Sequence, residues 1–260
     1  MRLWQLASGA FFLYVALVAL LRRPRRQSVK AVAGAAAGLI VVLASLAIDT
    51  PILARWIWPP ALLLIAYWSS GPLFVAPRSG HEAALRWLDD QLRVRDVATR
   101  TPRAVAEVLE AAYAGVYLLV PLALLLHLRF STSPDPDRFW SIVLVTDFLC
   151  FAVLPWVQTR PPRALECGEP WQSSIRQFNL RVLGATSIQV NTFPSGHAAE
   201  GLAAFLLALA APLGLVVAMF LAAVAVSAGA VLGRYHYLAD ALVGWVVAVV
   251  VFAVIFSWSL

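Results

Sequence analysis

The chain has 260 residues, 61% of them hydrophobic, and a mean hydropathy of +0.79. Soluble domains hold about 45–50% apolar residues, so composition excludes an ordinary soluble protein and indicates a polytopic membrane protein. The net charge of +6 is carried by short turns between apolar segments, where membrane orientation accounts for it, and nucleic acid is not an expected partner.

A hydrocarbon core about 30 Å thick needs about 20 apolar residues per spanning helix. Eight segments approach that length, at residues 3–21, 29–48, 56–75, 104–128, 139–157, 196–213, 215–232 and 237–260. Continuous apolar runs, without period-two alternation, indicate helices and not barrel strands. The first segment has one charge before it, an arginine cluster after it and no clear small-residue cleavage site, which reads as a retained anchor and not a signal peptide. Pro59 and Pro60 interrupt the third, and Arg55 stands at its edge. Residues 1–50 are therefore read as amino-terminal transmembrane helices and 51–260 as one membrane domain. Cys150 falls inside an apolar segment and Cys167 in a loop, so no disulfide framework follows.

Arg22, Arg23, Arg25, Arg26 and Lys30 crowd the first connection, which the positive-inside rule makes cytoplasmic. Counting eight spans from there places the later histidine segments on the cytoplasmic side. Dropping residues 56–75 from the count reverses that result. The expected location is an integral, multi-pass protein of a plasma membrane or bacterial-type inner membrane.

Residues 79–103 carry Leu85, Leu88, Leu92 and Val94 among Arg86, Asp89, Asp90, Arg93, Arg95 and Asp96. The apolar positions recur at helical spacing, as in an amphipathic helix lying in the membrane interface or a solvated connector helix. A second polar connection, residues 158–193, holds Arg160, Arg163, Arg176 and Arg181 together with Glu166, Glu169, Trp171 and Asn179. Arginine matches phosphate oxygens in a planar, bidentate way. Arg160-Pro161-Pro162-Arg163 offers two such groups on a stretch that its prolines keep extended. Headgroup anchoring is the other use for arginines at this depth.

Two of the four histidines open apolar segments. In Pro194-Ser195-Gly196-His197 the head of a helix leaves backbone N–H groups free for an anion, Ser195 can cap the helix or donate to a phosphate oxygen, and His197 stands in the first turn. Alone, the Ser-Gly-His triplet reads more simply as a helix cap with an interfacial histidine. In Gly233-Arg234-Tyr235-His236-Tyr237-Leu238-Ala239-Asp240 the histidine and aspartate are four residues apart and share a helix face. The carboxylate can then fix the imidazole tautomer and leave the opposite nitrogen as a nucleophile. Arg234 is placed to meet phosphate charge in the transition state. An aspartate in a membrane helix by default suggests function.

These residues resemble the phosphatidic acid phosphatase type 2 (PAP2) superfamily of membrane lipid phosphatases, lipid phosphotransferases and soluble vanadium haloperoxidases. Its basic Arg-Pro segment, Pro-Ser-Gly-His segment and segment ending in His-x-x-x-Asp occur here in order, over residues 109–249. The resemblance implies an all-α, polytopic transmembrane bundle with a six-helix PAP2-like catalytic core and additional amino-terminal helices. Residues 51–260 would be the catalytic membrane domain, with 79–103 as its interfacial segment. His236 would be the nucleophile, Asp240 its orienting partner and His197 the proton donor. Ser195, Gly196, Arg234 and either Arg160 or Arg163 would bind phosphate. No cofactor is implied and no metal, nor does any Cys, His and carboxylate cluster at ligand spacing argue for a metal.

Two positions depart from the pattern. The usual Ser-Arg pair of the third motif is Gly229-Ala230, with Arg234 closer to His236, and the leading lysine of the first motif is Val153. Arg-Tyr-His-Tyr and Pro-Pro-Arg look more like the inositol phosphorylceramide and sphingomyelin synthase branch. The expected partners are a lipid phosphate and membrane lipids. The expected activity is hydrolysis of a lipid phosphate through a phosphohistidine, the alternatives being headgroup transfer to a lipid alcohol or non-catalytic lipid binding. Family members mostly place this site on the extracytoplasmic face, opposite to the eight-span count. Glu200, three residues after His197 on the same helical face, can tune its pKa or else cap the helix or pair with an interfacial arginine, Asp147, deeper in its segment, has no assigned partner, and Tyr113 and Tyr117, on a lipid-facing or site-facing side, have the spacing of packing or interface aromatics.

Overall fold

Backbone groups in lipid find no water, so the apolar segments close their hydrogen bonds within helices. The structure, a computed structural model, describes residues 1–22, 25–48 and 50–257. Arg23, the side chain of Arg25 and residues 258–260, all part of the sequence reading, lie outside the described residues. The fold is all-α. Among the described residues the β pairing is an isolated bridge between Thr159 and Asn191.

The eight apolar segments appear as α1 (Leu3–Leu21), α2 (Arg25–Ala47), α3 (Trp58–Ser70), α6 (Arg103–Ala114) with α7 (Val116–Phe130), α8 (Pro136–Val153), α10 (Gly196–Leu207), α11 (Leu213–Leu232) and α12 (Leu238–Ser257). The expectation that each is one long span is corrected. Of these, α1, α2, α11 and α12 are long and apolar enough to cross a membrane, and α6 with α7 adds a fifth if that pair, bent by 64° at Gly115, counts as one span. The others fall short for local reasons. α3 has 13 residues, with prolines in its first turn. α10 has 12 residues. α8 carries Asp137, Arg138 and Asp147.

The short α10 sits at the centre, against α7, α8, α11 and α12, while α6 covers α11. Six helices, α6–α8 and α10–α12, thus surround the histidine segments. The amino-terminal helices α1, α2 and α3 pack on one another, and α1 and α3 also pack on α8. The pairing of α1 with α8 is parallel. At one end Asp137 accepts from Arg2 Nε and Trp4 Nε1 at 2.9 and 3.1 Å. Midway Phe11 stacks on Phe148 with centroids 4.6 Å apart. At the other end Tyr14 Oη donates to the Ala152 carbonyl at 2.6 Å, and the Arg22 guanidinium lies 4.8 Å over Trp156.

That parallel pairing fixes a polarity. The carboxy-terminal end of α8, the starts of α10 and α12 and the Arg22 turn all lie at one end of the bundle. Arg2, Arg55, Arg129 and Arg138 mark the opposite end, and the other described basic residues gather at the histidine end.

Residues 79–103 do not form the single amphipathic helix expected. They form α4 (Ser79–Gln91) and α5 (Val94–Arg100), broken at Arg93, which has φ of 49°. α4 packs on α12 and α5 on α11. The face that α4 buries is Glu82, Leu85 and Asp89, while Leu92 is exposed. Two carboxylates are buried there because arginines of distant segments meet them.

Candidate active site

Three backbone ties assemble the site from separate loops. Asn191 N–H donates to the Thr159 carbonyl at 3.1 Å, which lays the Arg160 loop beside the head of α10. Arg163 N–H donates to the Arg234 carbonyl at 3.0 Å, which joins that loop to the α11–α12 turn. Ser195 N–H donates to the Asp240 carbonyl at 2.9 Å, which joins α10 to α12. The last approach needs Gly244, since a Cβ there would stand 2.6 Å from the Ser195 carbonyl oxygen.

Between α11 and α12 the chain turns at Arg234, in the left-handed region with φ of 61°. Ala230 O then accepts from the N–H groups of Tyr235 and His236, both at 2.9 Å. His236 Nδ1 lies 3.3 Å from Asp240 Oδ2, and the same oxygen accepts Tyr237 N–H at 2.9 Å. His236 and Asp240 are buried. The opposite nitrogen of His236 has no hydrogen-bond partner among the described residues. The His197 ring is 6.0 Å from that of His236, centroid to centroid. Ser195 Oγ caps α10, accepting from Ala198 N–H at 3.4 Å, and the residue is fully buried.

Residues from α6 and α7 complete this group. Tyr113 stacks between His197, at 4.9 Å, and Tyr235, at 4.3 Å. Tyr117 Oη lies 3.2 Å from His197 Nε2. The packing role expected for Tyr113 and Tyr117 is therefore packing against the site. Glu110, not assigned a role from sequence, is fully buried with four partners. Its carboxylate accepts from Arg176 Nη1 at 2.8 Å, Trp171 Nε1 at 2.9 Å, Asn179 Nδ2 at 2.6 Å and Tyr235 Oη at 2.8 Å. Removing one partner of such a buried pair costs about 3–5 kcal/mol, because the other charge is stranded. The signal was available: a glutamate in an apolar segment, one helical turn ahead of Tyr113 and on its face.

The arginines divide by their partners. Arg160 donates through Nε and Nη2 to the two oxygens of Glu82, each at 2.9 Å, and these bonds hold the Glu82 carboxyl below the usual carboxylate range. Arg234 donates to Asp89 at 2.8 Å and to Glu166 at 2.6 Å. Arg176 pairs with Glu110 and Glu169. Arg163 makes no ion pair among the described residues, and its guanidinium lies 5.1 Å over the Tyr235 ring. Of the three arginines expected at phosphate, the structure leaves Arg163 without a carboxylate and ties Arg160 and Arg234 into the scaffold.

The departures from the third motif have a packing cause. A Cβ on Gly229 would stand 2.4 Å from the Leu109 carbonyl oxygen of α6. Ala230 is fully buried against Tyr113 and Tyr235. With α6 pressed this close, the two positions have no room for serine and arginine side chains.

Beside His197 opens a cavity of about 460 Å³ walled by α3, α6, α7, α8, α10 and α9 (Ser174–Thr186). Its lining is mainly apolar, with Leu63, Tyr67, Phe151, Phe178 and Val182, and its polar members include Tyr117, His197, Asp147 and Glu200.

Neither the curated proteins nor the solved structures searched contain a match to this chain. Residues 141–260, which hold most of α8, all of α9 to α12 and both histidine segments, match the family model described as the PAP2 superfamily.

Proposed function

We propose that the protein is a lipid phosphatase that hydrolyses a lipid phosphate monoester or diphosphate through a phosphohistidine. The observation that carries this reading is the pairing of His236 Nδ1 with Asp240 Oδ2 at 3.3 Å, with His197 6.0 Å away at the head of α10. With Nδ1 held by the carboxylate, Nε2 of His236 attacks phosphorus and the bond from phosphorus to the lipid oxygen breaks. His197 gives that oxygen a proton. Water then attacks the phosphohistidine, His197 takes its proton, and phosphate leaves. Arg163 and the N–H groups at Gly196 and His197 hold the charge that develops on the phosphoryl oxygens. The cavity beside His197 receives the apolar part of the lipid.

One observation favours a transfer reading beside hydrolysis. The cavity of about 460 Å³ reaches His197 through apolar walls, so a lipid alcohol can approach the phosphohistidine from the side where water is scarce. Phosphate release from a panel of lipid phosphates, by protein purified in detergent and by its His236→Ala variant, tests hydrolysis. Release that is lost in the variant is the expected result. Equal release by both would remove His236 from the mechanism. Headgroup appearance on an added lipid alcohol, without free phosphate, would favour transfer.

A further inference from the structure

Asp147 on α8 and Glu200 on α10 line the same cavity as His197 and make no hydrogen bond or ion pair among the described residues. Both are buried. Asp147 Oδ2 has no hydrogen-bond partner among the described residues, and Asp147 Oδ1 lies 3.2 Å from where a Cβ on Gly196 would stand. A buried carboxyl is costly unless a donor meets it, and elsewhere here the buried carboxylates Glu110 and Asp89 are met by arginine. At Asp147 and Glu200 the space that a donor would fill is the cavity itself.

Resting on the reading that a lipid phosphate is the substrate, we propose that Asp147 and Glu200 form a hydrogen-bond-accepting subsite. It selects lipids with a hydroxyl or amino group on the carbon next to the phosphate-bearing one. The position of Asp147 supports this. It abuts the first residue of α10, where the phosphate is held, so the subsite lies a few bonds from the leaving oxygen and not at the far end of the chain. A diacylglycerol phosphate or a polyprenyl phosphate offers only ester oxygens or hydrocarbon at that point and leaves both carboxyls unmet. A long-chain 2-amino-1-alkanol phosphate presents an ammonium group there.

The test is equilibrium binding of two probes, a long-chain 2-amino-1-alkanol phosphate and a diacylglycerol phosphate. It uses the full-length His236→Ala protein, with and without Asp147→Asn or Glu200→Gln. The amino lipid should bind about tenfold more tightly or better, and each added substitution should reduce that ratio about tenfold. Glu200→Gln carries the test if Asp147→Asn fails to fold. Equal binding of the two probes, or a ratio that neither substitution changes, would overturn the subsite. Phosphate release by the native protein is read in parallel. A retained ratio without histidine-dependent release would sink the phosphatase reading and leave the subsite standing, and absence of binding to either probe would sink both.

Discussion

Arg160 and Glu82, 78 residues apart, form a two-point pair with Nε to Oε1 and Nη2 to Oε2 both at 2.9 Å. The Glu82 carboxylate also accepts Arg160 N–H at 2.9 Å, so the pair fixes the backbone of the loop as well as its side chain. One consequence is a division of labour between neighbouring arginines. Arg160 holds the loop to α4, and Arg163, with no carboxylate partner among the described residues, is the one proposed to meet an anion.

Arg163→Ala should therefore lower kcat/KM on a lipid phosphate on the order of 100-fold, the scale of removing one transition-state donor. Arg160→Ala should cost at least about tenfold less, and should show mainly as lowered thermal stability. Steady-state kinetics with melting curves on both variants check this. Equal kinetic losses would contradict the division.

Asp240→Asn should reduce kcat on the order of 100-fold or more, with little change in KM, because the amide no longer selects the tautomer of His236. Tyr237 N–H and the Asp240 backbone bond to Ser195 do not need the charge, so the fold should persist. Kinetics together with circular dichroism separate the two effects.

Gly229→Ser restores the residue usual in the superfamily motif, yet it should destabilise this chain. Its Cβ would meet the Leu109 carbonyl oxygen at 2.4 Å, and backbone on α6 must shift. The expected loss is about 1–3 kcal/mol, read as a lowered midpoint in detergent-solubilised protein. An unchanged or raised midpoint would show that α6 yields without cost.

The parallel packing of α1 on α8 places the histidine end beside Arg22, and the described basic residues are concentrated at that end. The positive-inside rule predicts that this end faces the cytoplasm. Cys167 is exposed in the loop beside the site, whereas Cys150 is buried. A membrane-impermeant maleimide should label Cys167 only after permeabilisation. Labelling in intact cells would put the site on the outer face.

The parts of this fold that were legible in the sequence are those set by local chemistry. Apolar runs gave the helices, and the spacing of His236 and Asp240 put them on one face. Span length was less legible, because the break at Gly115 and the shortness of α10 depend on what packs around them. The break of residues 79–103 into α4 and α5 and the burial of Glu82 and Asp89 were not legible for a related reason, since Arg160 and Arg234 meet those carboxylates from 78 and 145 residues away. The same distance hid the loss of Arg234 to the scaffold. Local spacing cannot announce a partner that only tertiary packing supplies.

The central claim is that His236 carries the phosphoryl group. The most direct measurement is to mix the native protein with a lipid phosphate labelled at phosphorus, quench in alkali within the first turnovers, and map the labelled peptide by mass spectrometry. An acid-labile label on the peptide containing His236, absent in His236→Ala, is the predicted result. A label on another residue, or one that survives in His236→Ala, would contradict the account.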